Sequence, residues 1–469
     1  MLRGTIYLTI SQVVFLITGF ILHPYLGRKL GPELYGIFGV ISALIMINDL
    51  TLMRGIYETI TKFVAEREDV AKTIIKGMLK MMALGSLIIG TICYIFAEQI
   101  ASLMNDPELA SYIKLFSFTI PLTGLSMVFL GALNGLRQFG KQALISIIFN
   151  MVRFISVIIL VFLGFSIKGA IVGLIISDLF RLVMAKWLCK PRADTVHDFD
   201  YRKMLRFAFH LMIIALITSL IMNIDLLAVK IFLKDNLQAG IYTAAITIAK
   251  IPPFLIMPIS LITLPSISKS MSEGNQALSE KQINQSLRLL LMIVLPLSLI
   301  IIATSEHCIS LLYGNKYVQA AGPLRILIIG GIFLSIKALM QNVIVGMGRP
   351  RYVVYIGLFS VFIDILLLVT LINSVGLRGA ALATMITHLF GFLISYGYVA
   401  KRFLRTVIPV YFIRIGFASL IIYLIATVYS PAGIMLLFYY ALLFCLFFLI
   451  LIVMKEINIM DLRLRLVRP

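Results

Sequence analysis

Eight ionisable residues fall inside long runs of hydrophobic residues: Asp49, Arg54, Arg153, Arg181, Asp225, Lys250, Lys337 and Asp364. A charge within an apolar run of membrane-spanning length costs about 3 kcal/mol or more, so it pairs or works. The cations suit an anionic ligand, and the aspartates suit a proton or a sodium ion. Some spacings offer a local alternative. Arg54 and Glu58 are four apart and Asp178 and Arg181 are three apart, so each pair shares one face of a helix. Arg153 has no acid near it in its own run. Its partner is therefore on another helix, in a wet cavity, or on an anionic ligand. Lys250 and Lys337 are too central for easy snorkelling, whereas Lys230 and Lys114 lie nearer run ends and are expected to snorkel. His388 reads as a packed, hydrogen-bonded histidine.

Catalytic constellations are missing from the sequence. There is no phosphate-cradling Walker loop and no G-x-S-x-G nucleophile elbow. His23, His197, His210, His307 and His388 are dispersed, and Cys93, Cys189, Cys308 and Cys445 form no metal or redox spacing. The expectation is a protein that is not an enzyme, with no metal and no cofactor beyond a coupling proton or sodium ion.

The elements that must hold these charges are membrane helices. Of 469 residues, 61% are hydrophobic and only 13% are charged, about half the charge of a soluble domain. Runs of about 20 apolar residues match the roughly 30 Å hydrocarbon core, and only helices or closed barrels satisfy their backbone there. The alternation of a barrel is absent. The sequence therefore predicts an all-α integral membrane protein of about fourteen transmembrane helices. Their limits are 4–27, 34–60, 77–96, 111–134, 143–164, 169–189, 207–232, 240–265, 289–313, 323–347, 352–372, 379–400, 408–429 and 434–454. The first is expected to be a span and not a cleaved signal. Net charge is +20, and with this division 26 loop Lys and Arg residues fall on one side against 6 on the other. That bias predicts a multi-pass protein of the cytoplasmic membrane with both termini cytoplasmic, and it explains the basicity without nucleic acid.

The chain also repeats itself. Leu8–Phe38 and Phe207–Tyr242 share a long apolar run, a polar loop and then Gly-Ile-aromatic, so that Gly36 answers Gly240 at an offset of 204. Glu98 and Ser102 answer Glu306 and Ser310, Gly135 answers Gly346, and Ile167–Ala170 answers Leu377–Ala380, with offsets drifting to 211. The expected organisation is an N-terminal six-helix lobe at 1–190 and a cytoplasmic linker at 191–206. A C-terminal six-helix lobe follows at 207–404, then two extra helices and a tail at 405–469. An even number of spans per copy makes the lobes parallel, with a substrate site expected between them near midplane. Pro121, Pro252, Pro253, Pro258 and Pro265 interrupt spans four and eight and are candidate pivots.

Several stretches carry a family resemblance: Leu30–Phe38, Asn223-Ile-Asp225 with Gly240–Tyr242, Ser310–Ala321, Leu324–Leu327 and Gly346–Pro350. With them the chain resembles the polysaccharide transporter, or oligosaccharide flippase, branch of the multidrug/oligosaccharidyl-lipid/polysaccharide exporter superfamily. The resemblance implies a V-shaped two-lobe transporter. It would move lipid-linked oligosaccharide from the cytoplasmic to the outer leaflet for surface polysaccharide assembly. Its partners would be that substrate, membrane lipids and polysaccharide-assembly enzymes. A pyrophosphate crossing hydrocarbon needs cations, and the planar arginine fork binds phosphate oxygens in pairs. Arg54, Arg153, Arg181, Lys250 and Lys337 are the expected phosphate lining. Asp49, Asp225 and Asp364 are expected in ion coupling or gating. Asp225 has no acidic counterpart in the first copy, where Ile21 stands. Rival readings are a cation-coupled small-molecule exporter, a lipid II flippase and, more remotely, a membrane polysaccharide polymerase.

Overall fold

A computed structural model describes residues 2–191, 199–403 and 410–456, and the regular structure among them is helical, without strands. Residues 192–198 of the expected linker, 404–409 and the tail from 457 lie outside the described residues. Contacts divide the chain into two compact units, Met1–Thr243 and Ala244–Pro469.

The first unit opens with α1 (Leu2–Leu52), which is two rods rather than one. Gly31 adopts φ 79°, a conformation that L side chains rarely take, and Pro32 follows it. This break separates the first two expected spans. A π-helical turn, Met53–Tyr57, carries Arg54 and leads into α2 (Glu58–Glu66). Then come α3 (Ala71–Ile95), α4 (Ala97–Leu103), α5 (Leu109–Phe116) and α6 (Thr119–Gly135). Pro121 lies in the first turn of α6, where backbone N–H groups lack helical partners anyway, so it is no mid-helix kink. Helix α7 (Phe139–Leu160) bends through a second π-helical turn at Val161–Phe165, with Gly164 at φ 94°, into α8 (Ser166–Leu188). Next come α9 (Tyr201–Ile221), which begins inside the stretch expected as linker, α10 (Ile224–Leu233) and α11 (Asn236–Ala249), inside which the division between units falls.

Ile60 and Val64 of α2 are buried with Met78 and Met82 of α3 and Val128 of α6. A second apolar cluster joins Val40 and Ile41 of α1 to Ala101, Leu109, Ile113 and Ile171. The tightest approach is between α1 and α11. A Cβ on Gly36 would lie 2.0 Å from the Asn236 carbonyl oxygen, and one on Gly240 would lie 1.8 Å from that of Pro32. The two glycines matched by the sequence repeat thus let one backbone sit directly on the other. Small residues do this in membranes, where close packing replaces the hydrophobic driving force.

The second unit holds α12 (Ile251–Phe254), α13 (Met257–Ser272), α14 (Gln276–Ala303) and α15 (Ser305–Tyr313). It continues with α16 (Ala321–Gly346), α17 (Pro350–Val375), α18 (Leu377–Phe403), α19 (Val410–Val428) and α20 (Met435–Val453). Glu456, just past α20, ion-pairs with Arg288 of α14 at 2.7 Å and Arg414 of α19 at 3.1 Å. That triad joins the last two helices to the rest of the unit.

Eleven segments among the described residues are long and apolar enough to cross a membrane. Two of them, of 61 and 50 residues, contain the breaks at Gly31 and Gly164. The run expected at 240–265 is not among the eleven, because it divides into α11, α12 and α13 around Pro252 and Pro253. Large apolar side chains face outward along these helices, among them Leu84, Phe162, Trp187 and Phe438. Such a surface belongs in lipid, and the chain is a multi-pass membrane protein.

The glycine crossing yields a prediction. Gly36→Ala drives a methyl into backbone that has no side chain to rotate away. It should lower stability by about 1–3 kcal/mol, the usual cost of overpacking, whereas Gly85→Ala, which meets nothing within 4 Å, should not. Thermal unfolding of the two detergent-solubilised variants compares them directly.

Candidate functional site

The first unit gathers four of its membrane charges. Arg181, buried on α8, donates from one Nη2 to Asp178 Oδ1 at 2.7 Å and to Thr123 Oγ1 of α6 at 3.0 Å. The local pairing that the three-residue spacing allowed is therefore made. The Arg181 guanidinium lies 4.3 Å from the centroid of the Phe149 ring on α7. Arg153, one turn along α7, places its guanidinium 5.6 Å from the same ring and 5.5 Å from that of Phe15 on α1. Asp49 of α1 and Asp178 are both in electrostatic reach of both arginines. Aromatic faces attract guanidinium groups, so Phe149 holds two like charges that would otherwise separate.

Among the described residues, the buried Nε atoms of Arg153 and Arg181 have no hydrogen-bond partner. A guanidinium carries five N–H donors in a fork suited to carboxylate or phosphate. The cluster therefore has donors left over in a low-dielectric setting. Its formal charge is balanced, two arginines against two aspartates, where the sequence reading expected a cationic surplus.

Arg54 stands apart from this group. It is exposed on its π-helical turn and makes no ion pair within 4.0 Å among the described residues, although Glu58 feels its charge. Gly55 beside it admits Met212 of α9, whose Cγ would lie 2.0 Å from an added Cβ. Asp225 lies in the first turn of α10, where it accepts the N–H of Leu226 at 2.8 Å and the Tyr242 hydroxyl at 3.2 Å. A carboxylate is well placed there, because the first turn of a helix carries partial positive charge.

The second unit holds its own cluster on α16, α17 and α18. Lys337 is buried and donates to Ser360 Oγ at 3.2 Å, while Thr387 donates to Asp364 Oδ1 at 3.0 Å. Lys337 and Asp364 attract one another electrostatically, and His388 lies near the lysine. Gly391 makes this possible, since a Cβ there would come within 2.8 Å of Lys337 Cδ, Cε and Nζ. His388 is buried as expected, but its Nδ1 has no hydrogen-bond partner among the described residues. Lys250 lies partly buried at the joint of α11 and α12.

One polar network was misread in sequence. Lys230 was expected to snorkel, yet its side chain is 1% exposed and ion-pairs with Asp106 at 2.7 Å. Asn236 donates to the same carboxylate at 2.8 Å and accepts from Lys230. The partner comes from the loop between α4 and α5, 124 residues away, a distance that no local spacing reveals.

This geometry can be set beside known proteins. A match to the polysaccharide biosynthesis protein family covers residues 25–322. The chain belongs to that family. A relative in Haloferax volcanii, the probable low-salt glycan biosynthesis flippase Agl15, is 21% identical, with 82% of this chain and 80% of that protein covered. Among solved structures, the lipid II flippase MurJ in an inward closed conformation shares the fold with a TM-score of 0.78. It is 18% identical, covering 98% of this chain and all of that one. An inward-facing multidrug resistance transporter of the multidrug/oligosaccharidyl-lipid/polysaccharide exporter superfamily follows with a TM-score of 0.71 and 17% identity, over 85% of this chain and 98% of its own. The named relatives are described as flippases and transporters.

The Lys230 network carries a pH signature. Burial raises the Asp106 pKa, but hydrogen bonds from Lys230 and Asn236 and the lysine's charge outweigh it and hold the carboxyl below its ordinary 3.8. A depressed carboxyl contributes stability that is present above 3.8 and is lost as pH falls through the folded-state value. Asp106→Asn should therefore cost about 3 kcal/mol at neutral pH, as breaking a buried pair does. Thermal unfolding should show this deficit shrinking below pH 3.8, where the native residue is itself neutralised.

Proposed function

We propose that the chain is a flippase that carries polyprenyl-pyrophosphate-linked oligosaccharide from the cytoplasmic to the outer leaflet by alternating access, in surface polysaccharide assembly. The observation carrying this reading is the pair Arg153 and Arg181 on the Phe149 ring, with buried donors left unspent. A diphosphate supplies several acceptor oxygens at the spacing of a guanidinium fork. Asp49 and Asp178 keep the arginines compensated when no substrate is bound, which limits the cost of burying them.

On this reading Arg153 and Arg181 hold the phosphates. Lys337 and Lys250 are secondary cations, and Arg54 is a more exposed one. Asp225, Asp364 and Asp49 take part in gating or in coupling to a proton or sodium ion. On this reading the protein sits in the cytoplasmic membrane with both termini inside, a placement the loop-charge bias supports, and works alongside polysaccharide-assembly enzymes. The fourteen-span arrangement belongs to this proposal. So does the lobe division of 1–190, linker 191–206, 207–404 and 405–469, which rests on the repeat. A second reading, cation-coupled export of small molecules, is favoured by the equal count of carboxylates in the first cluster.

Leaflet translocation by purified protein in liposomes separates the two. With polyprenyl-pyrophosphate oligosaccharides of defined sugar, Arg153→Gln and Arg181→Gln should each slow translocation about 10–100-fold, the weight of a lost charged hydrogen bond. Asp225→Asn should remove the dependence on an ion gradient. Unimpaired translocation by a correctly inserted Arg153→Gln variant would remove that residue from the site. Transport of cationic small molecules, with no movement of any lipid-linked sugar, would establish the exporter instead.

A further inference from the structure

A cavity of about 730 Å³ lies on the flank of α3 and is lined by Lys76, Gly77, Lys80, Met81 and Tyr201. Tyr201 begins α9 and donates its hydroxyl to the Thr73 carbonyl at 2.8 Å. That bond lays its ring across α3. The ring fits because residue 77 is glycine: a Cβ there would lie 2.2 Å from Tyr201 Cε1 and 2.3 Å from its hydroxyl oxygen. The wall opposite solvent is therefore built, not incidental.

Lys76 and Lys80 line the floor one helical turn apart, and both are exposed. Neither has a carboxylate within 4.0 Å among the described residues, whereas Lys62, Lys114, Lys230 and Lys269 all do. Beyond Lys80 the exposed face turns apolar, through Leu84, Leu87, Ile88 and Ile92. Only Met81–Ile95 remain of α3 past Lys80, about 22 Å of helix at 1.5 Å per residue. That is shorter than the roughly 30 Å hydrocarbon core. Lys80 is thus drawn to the boundary between headgroups and acyl chains, where the anion at hand is a lipid phosphate.

We propose that this cavity seats the headgroup of an anionic phospholipid from the leaflet on the basic-loop side. The phosphate lies between the Lys76 and Lys80 ammonium groups, and an acyl chain runs along Leu84 and Ile88. The bound lipid bridges α3 to the start of α9, beside the linker. The charge step from lysine to leucine along one helix face selects a lipid over a free anion, which would have no use for the apolar stripe. This seat does not depend on the flippase reading.

Native mass spectrometry of the full-length protein, released from bilayers of equal phosphatidylglycerol and phosphatidylcholine, tests it. The wild type should retain phosphatidylglycerol in preference. Lys76→Gln with Lys80→Gln should weaken retention about 30-fold, at roughly a factor of five per lysine near the membrane surface. Lys269→Gln with Lys281→Gln, which removes the same charge elsewhere, should leave it unchanged. Gly77→Ala displaces the tyrosine ring and should also reduce retention, although both lysines remain. Equal loss in the two double variants, or equal retention of both lipids, would overturn the proposal. Displacement of phosphatidylglycerol from the wild type by farnesyl pyrophosphate, with the same lysine dependence, would overturn it too and assign the seat to a diphosphate.

Discussion

A charge held in hydrocarbon must be compensated, and the described structure is organised around that requirement. Arg181 shows how it is met: one carboxylate, one hydroxyl and one aromatic face surround a single guanidinium. These partners come from three helices, α6, α7 and α8, and the contacts to Thr123 and Phe149 tie α8 to the other two. Removing Asp178 or Thr123 would strand a buried cation, which is why polar groups in such sites are satisfied together or not at all. Arg153 shares the ring and the aspartates but keeps unspent donors. The cluster is compensated at rest and still able to take an anion.

The second unit solves the same problem with different residues. Its cluster lies on α16, α17 and α18, which the repeat matches to α6, α7 and α8. Ser360 stands where Asn150 stands in the first copy at the offset of 210, and His388 stands where Asp178 does. There a lysine replaces the arginines, and Gly391, at the position matched to Arg181, clears space for its stem. A lysine is a compact point charge, whereas arginine is a planar fork. On the repeat read from the sequence, the matched helices carry different chemistry.

Much of this was legible in the sequence, and what was missed has a common cause. The apolar runs, the breaks near Gly31 and Gly164, and the equivalence of Gly36 and Gly240 follow from composition, spacing and repeat. The Asp178–Arg181 pair follows from helical periodicity. Phe149, Phe15 and Thr123 were not visible as site residues, because apolar and hydroxyl residues are common in every span and only the fold brings these three to an arginine. Lys230 was misjudged for the same reason: its acid is contributed by a distant loop. The run at 240–265 counts as one span by its apolar residues, and its prolines read as pivots; Pro252 and Pro253 remove backbone donors and divide it outright.

The central claim is that Arg153 and Arg181 form a diphosphate-binding pair, and equilibrium binding tests it most directly. Titration calorimetry of the purified protein with farnesyl pyrophosphate and with farnesol isolates the contribution of the phosphates. Wild type should bind the pyrophosphate and not the alcohol, and Arg153→Gln with Arg181→Gln should abolish that difference while leaving the protein folded. Equal affinity of the double variant and the wild type for farnesyl pyrophosphate would contradict the account.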